Sequence, residues 1–134
     1  MSGIRELAEL LKSMKPVLQE TDLVFCSVDY NSLPEQTIDP LMFFKEEKGI
    51  TLILPKTIAN RLSLDYVGLW VRITLTVHSS LDAVGFLAKI SEALANAGIS
   101  TNVVSAFYHD HIFVPKDRAK DAMKVLKQLS ESSQ

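Results

Sequence analysis

The sequence predicts an α+β protein whose chain is organised in two parts. Three observations carry this. Stretches with apolar residues at helical spacing alternate with shorter β-rich runs. The residues after about Ser63 read as a regular strand, helix, strand, strand and helix, whereas those before it are irregular. Apolar residues make up 47% of the 134, enough for a real core in one domain or two very small ones.

Ile4, Leu7, Ala8, Leu10, Leu11 and Met14 form one face of a first helix, with Ser2 as its cap. Pro16 ends it. Val17 and Leu18 are expected to be briefly extended and residues 19–21 to turn, before the buried strand Leu23-Val24-Phe25-Cys26-Ser27-Val28. Residues 29–40 hold Asn31, Ser32, Pro34 and Pro40 and read as a loop. Residues 41–45 and 50–54 flank Glu46-Glu47-Lys48-Gly49 as a hairpin, with Gly49 supplying a positive φ at the turn. Pro55 opens a short helix that buries Ile58, Ala59 and Leu62.

Residues 66–77 read as the strongest strand, because Val71, Ile73, Leu75 and Val77 alternate with Trp70, Arg72, Thr74 and Thr76. A polar turn follows, and residues 83–97 form a helix that buries Phe86, Leu87, Ile90, Leu94 and Ala97. Gly98 stands where a helix C-cap is expected. Residues 99–107 and 112–114 read as strands joined by a turn at 108–111. Pro115 and Asp117 open a last helix, buried through Ala119, Ala122, Met123, Leu126 and Leu129, with residues 130–134 as a frayed tail. Residues 61–65 mark the boundary between a unit at 1–65 and a unit at 66–134.

Several function classes are disfavoured. The formal net charge is −2, with no basic stripe of the kind a nucleic-acid binder carries. No apolar run reaches the length that spans a bilayer, and the first residues lack a signal-peptide core. Cys26 is the only cysteine, so neither an intramolecular disulfide nor a multi-cysteine metal site is expected. The expectation is a soluble cytoplasmic protein with no nucleic-acid or membrane partner, forming a homodimer or larger homo-oligomer. There is no phosphate loop, dinucleotide fingerprint or Ser/His/Asp arrangement, so neither a cofactor nor enzymatic activity is expected.

The second half supplies five of the six elements of a ferredoxin-like β-α-β-β-α-β unit. Its Ser79-Ser80-Leu81-Asp82-Ala83-Val84-Gly85-Phe86 turn and the Leu94-Ala95-Asn96-Ala97-Gly98-Ile99-Ser100 string resemble the ACT domain family. Val84-Gly85 stands where that family usually has Pro-Gly, and Ala97-Gly98-Ile99 matches its second signature. With Lys15-Pro16-Val17-Leu18, Phe25-Cys26-Ser27-Val28 and Glu47-Lys48-Gly49-Ile50-Thr51-Leu52, the chain is similar to small stand-alone bacterial proteins with two ACT-like units in tandem. A looser similarity links it to a eukaryotic cytosolic arginine sensor. The resemblance implies two tandem ferredoxin-like units, the first degenerate, each an antiparallel sheet with helices on one face. Each half lacks one strand of the six-element pattern. The N-terminal part is therefore expected to pair with the open edge of the second sheet.

The resemblance also implies binding of a small molecule, most often an amino acid, whose occupancy is passed to a partner. Gly85 lets backbone N–H groups at a helix start approach a ligand, and the helix N-terminus favours a carboxylate. Ser79, Ser80, Asp82, Ala83, Val84 and Gly85 are the candidates on the turn, with Asp82 either receiving an ammonium group or acting as an N-cap. Ile99, Ser100, Thr101 and Asn102 are expected as the facing wall. An alternative is a scaffold that uses the sheet only to dimerise. A third reading takes His109 and His111, with His78, as metal ligands; the pair more readily reads as a solvated hairpin, or as lining the ligand site or a dimer contact, and no metal is expected. Cys26 reads as a buried small hydrophobe.

Overall fold

A computed structural model describes residues 2–32, 39–78 and 84–133. The elements are α1 (Ser2–Ser13), β1 (Pro16–Val28), β2 (Met42–Glu46), β3 (Gly49–Pro55), α2 (Lys56–Arg61), β4 (Trp70–Leu75), α3 (Phe86–Asn96), β5 (Asn102–Ser105), β6 (Asp110–Pro115) and α4 (Ala119–Ser132). Short 3-10 turns cover Tyr30–Ser32 and Lys116–Arg118. The compact units are not contiguous halves. One joins Met1–Glu20 to Val71–Gln134, and the other is Thr21–Trp70.

In the first unit the strands follow the order β1, β4, β6, β5. β4-α3-β5-β6-α4 supplies five ferredoxin-like elements, and the first half of β1 fills the sixth place beside β4. Alternation along the strands turns Val71, Ile73, Leu75, Ile112 and Val114 to one face, where they meet Leu11 and Met14 of α1, Ile90 and Leu94 of α3, and Leu126 of α4. Helices therefore cover that face alone, as expected for an α+β sheet of this kind. Leaving α1, Lys15 turns the chain at φ 37°. Thr76 fixes the turn, its amide donating to the Met14 carbonyl (2.7 Å) and its hydroxyl to that of Lys15 (2.8 Å).

The smaller unit has the order β2, β3, β1. β1 pairs antiparallel with β3 from Leu23↔Pro55 to Val28↔Ile50. β2 pairs with β3 from Met42↔Ile53 to Glu46↔Gly49. Its core is Val24, Cys26, Val28, Ile50, Leu52, Leu54 and Ala59, with Tyr66 and Leu69 packed against it. Phe25 meets Trp70 edge-on at 5.6 Å between ring centroids.

Several expected boundaries are corrected. Residues 19–21 do not turn but continue β1, where Gln19, Glu20 and Thr21 are all exposed. The strand expected over 66–77 is only β4, since Gly68 at φ 77° breaks the extended run before it. The helix expected over 83–97 begins at Phe86, after left-handed Gly85; residue 83 lies outside the described residues. β5 begins only at Asn102 because the Ile99 amide is used in closing α3. The turn expected at 108–111 lies at 106–109, where the Ala106 amide donates to the His109 carbonyl (3.0 Å). The helix α4 runs to Ser132 instead of fraying at 130, held where the Ser130 hydroxyl donates to the Lys12 carbonyl (3.0 Å). Gly49 does have positive φ, but at 157° it is nearly extended. A glycine is required there because a Cβ would stand 2.9 Å from the Val28 carbonyl oxygen.

Candidate functional site

Two glycines delimit α3. Gly85 precedes its first turn in the left-handed conformation, φ 88° and ψ −13°. Its carbonyl accepts the Lys89 amide at 3.0 Å, so it opens the helical ladder. The amides of the first turn have no partner within the helix. No side chain caps this end among the described residues. A Cβ on Gly85 would meet only Leu7 Cδ2, at 3.5 Å, so the glycine is set by backbone conformation and not by crowding. Val84, beside it, is 87% exposed.

At the other end the Gly98 amide donates to the Ala95 carbonyl (2.9 Å) and the Ile99 amide to the Leu94 carbonyl (3.0 Å), with Gly98 at φ 72°. This is a Schellman closure. The Arg118 guanidinium donates to the carbonyls of Ala97 (3.2 Å) and Gly98 (3.3 Å), a cation placed at the negative helix end.

The expected site residues divide between these two ends. Ser79, Ser80, Asp82 and Ala83 lie outside the described residues. Val84 and Gly85 stand at the N-terminus of α3. Ile99 is buried beneath its C-terminus, where the Thr101 hydroxyl donates to the Ile99 carbonyl (3.2 Å), while Ser100 and Asn102 are exposed. Eleven helical residues separate the two groups, about 16 Å at 1.5 Å per residue. Among the described residues, Val84 and Gly85 therefore stand at one end of α3 and Ile99–Asn102 at the other.

His78 belongs to an aromatic cluster. Exposed just after β4, it meets Tyr108 edge-on at 6.3 Å between ring centroids, and Tyr108 meets Phe107 at 5.1 Å. Phe107 and Tyr108 are both about two-thirds exposed. Sequence reasoning did not place this aromatic tip beside His78, although a hairpin between two strands of a small sheet must emerge at one of its two ends.

His111 does not sit in the turn but within β6, on the face away from the helices. Its Nδ1 lies 3.0 Å from Thr74 Oγ1. Burial pushes its imidazole below the ordinary range, and Arg72 and His109 push further, against the opposing pull of Asp110. Arg72 donates to the Gln19 side-chain oxygen. Among the described residues no three His, Cys, Asp or Glu side chains gather as metal ligands. Cys26 is buried in the smaller unit, its thiol pushed up by burial and by Asp65. Among the described residues no helix is long and apolar enough to cross a membrane.

Residues 2–70 and residues 71–128 each match a family model of the ACT domain. The chain belongs to the ACT domain family. Its role is accordingly of the ligand-binding regulatory kind. A Vibrio cholerae protein of unknown function, a possible transport protein, is 42% identical, with 96% of this chain and 98% of that one covered and a TM-score of 0.81. Two others share the fold at low identity. An Agrobacterium tumefaciens protein is 13% identical, with coverage of 86% and 87% and a TM-score of 0.72. The regulatory subunit of aspartate kinase from Thermus thermophilus is 12% identical, with coverage of 85% and 96% and a TM-score of 0.66. No curated protein matches the chain.

Proposed function

We propose that the protein senses an amino acid at the junction between β4 and α3 and passes its occupancy to a partner. The observation that carries this is Gly85. A left-handed glycine at the start of an eleven-residue helix leaves first-turn amides approachable, with no side chain of its own in the way. Amides there, together with the positive helix end, suit a carboxylate. Asp82 is the candidate for the ligand's ammonium group. Ser100, Thr101 and Asn102 join such a site only from a second copy of the chain, since α3 holds them at its far end. That arrangement suits a homo-oligomer. The family match supports a small-molecule ligand.

Thermal unfolding of the full chain against the twenty amino acids tests the reading. A ligand at one hundred times its Kd adds about 2.7 kcal/mol, which in a domain of this size moves Tm by roughly 10 °C. One amino acid is expected to do so, and Gly85→Val is expected to abolish its shift. If no amino acid moves Tm, the sensor reading fails and the sheet is left as a dimerisation scaffold.

A further inference from the structure

The sheet of the first unit has a second face, turned away from α1, α3 and α4. Val71, Ile73 and Leu75 of β4 point to the helices, so Arg72 and Thr74 between them point the other way. On β6 the same alternation sends Ile112 and Val114 to the helices and His111 to the opposite face. Gln19 reaches Arg72 from β1, the strand beside β4.

Arg72 is only half satisfied there. Its Nη2 donates to the Gln19 side-chain oxygen. Its Nε is the one buried side-chain nitrogen or oxygen among the described residues that has no hydrogen-bond partner. Buried donors of this kind are rare in native proteins, and a bound ion is one of the few reasons for them. Among the described residues no carboxylate forms an ion pair with the guanidinium. Burial pushes its pKa below the ordinary value, the direction expected of a cation without a counter-charge. Nε and Nη2 form one edge of the guanidinium, the edge that takes both oxygens of an anion in a bidentate pair. Here a neutral amide oxygen meets one of the two donors and nothing meets the other. Gln19 is exposed, so its amide can rotate off that edge. His111 stands nearby, its Nδ1 held 3.0 Å from the hydroxyl of Thr74, which is 7% exposed.

We propose that this face binds the carboxylate of a small organic acid, which displaces the Gln19 amide and sets its two oxygens on Arg72 Nε and Nη2. Because Nε is buried, the carboxylate must reach below the surface, which suits a small acid better than a side chain on a folded partner. A single negative charge fits best. Arg72 is the permanent cation, His111 is held toward its neutral form, and the carboxylate of Asp110 beside His111 opposes any further negative charge. The site shares no residue with the Gly85 junction and does not depend on the amino-acid reading.

The probe is sodium acetate, titrated into the full chain at constant ionic strength against sodium chloride and followed by the Arg72 Nε–H resonance in proton–nitrogen NMR spectra. A saturable downfield shift is expected, with none from chloride alone. Inorganic phosphate, whose second negative charge adds to that of Asp110, is expected to bind more weakly at neutral pH. Bound acetate is expected to raise the His111 pKa, because it offsets the repulsion from Arg72. The other titratable groups acting on that ring, His109 and Asp110, stay as they are, and Val104 opposite it on β5 carries no charge. Gln19→Glu supplies a carboxylate from within the chain. It is expected to move the Nε–H resonance downfield without any probe, to raise Tm and to leave acetate without effect. Arg72→Gln is expected to abolish the His111 response to acetate, and where that variant fails to fold, Gln19→Glu still decides. The proposal is overturned if the acetate shift does not saturate or chloride reproduces it, or if phosphate binds as tightly as acetate. It is also overturned if Gln19→Glu leaves the resonance in place or still responds to acetate.

Discussion

Three glycines with positive φ are required for different reasons, left-handed backbone at Gly85 and Gly98 and close approach at Gly49. At Gly98 nothing lies within 4 Å of where an added methyl group would stand, so Gly98→Ala incurs only left-handed strain, about 1–2 kcal/mol. At Gly85 the nearest atom is at an ordinary contact distance, and a similar loss is expected. At Gly49 the Cβ would press on a backbone oxygen at 2.9 Å, which cannot rotate away. Urea unfolding should therefore rank Gly49→Ala as the most damaging of the three, and an equal loss at all three would contradict the close-approach account. His111 gives a pH signature. Its folded pKa lies below the ordinary value near 6.5, so the unfolded chain takes up the proton first. Its contribution is fully present above that pH and is lost as pH falls through the lower folded value. Stability is expected to decline from pH 7 toward pH 5, with His111→Gln showing a flatter profile than the parent chain over that range.

Among the elements, α3 depends on both its ends. Arg118 neutralises the carbonyls of Ala97 and Gly98, so Arg118→Ala is expected to cost about 0.5–1 kcal/mol, read by thermal unfolding. Asp121→Ala, which removes only the guanidinium's exposed partner, should cost less. Periodicity made the helices legible, because Leu11 and Met14, or Ile90 and Leu94, report burial directly. Strand limits were less legible. The polar run Gln19-Glu20-Thr21 has the composition of a turn, and only the presence of β4 alongside makes it a strand. The expectation that Ile99–Asn102 face Gly85 has a different origin. Nearness in sequence to α3 suggested nearness to Gly85, whereas helix length alone sets the two ends about 16 Å apart. Gly85 itself was legible, since a glycine just before an apolar periodic stretch has few other uses.

At the scale of the whole molecule, the first unit draws Met1–Glu20 and Val71–Gln134 together. Leu11 and Met14 are buried in its core, each worth roughly 1.5–3 kcal/mol against a total stability of about 5–15 kcal/mol. A fragment of residues 66–134 also lacks the strand that flanks β4. It is expected to show no cooperative transition by circular dichroism and to aggregate in gel filtration, with a peptide of residues 1–20 restoring both properties. A soluble, monomeric, cooperatively folding fragment would sink this account. Sequence reasoning anticipated the exchange of a strand, because each half counted one strand short. It could not show that α1 travels with that strand, since an amphipathic helix does not name the core it will cover.

That sharing of distant segments has a consequence for synthesis. Residues 1–20 leave the ribosome before the strands and helices they pack against, which follow only after the whole of Thr21–Trp70 has been translated. At about 5–20 residues per second, the delay lasts several seconds. Throughout it Leu7, Leu11 and Met14 have no core to enter, and a nascent chain paused within the smaller unit presents them to whatever chaperone waits at the tunnel exit.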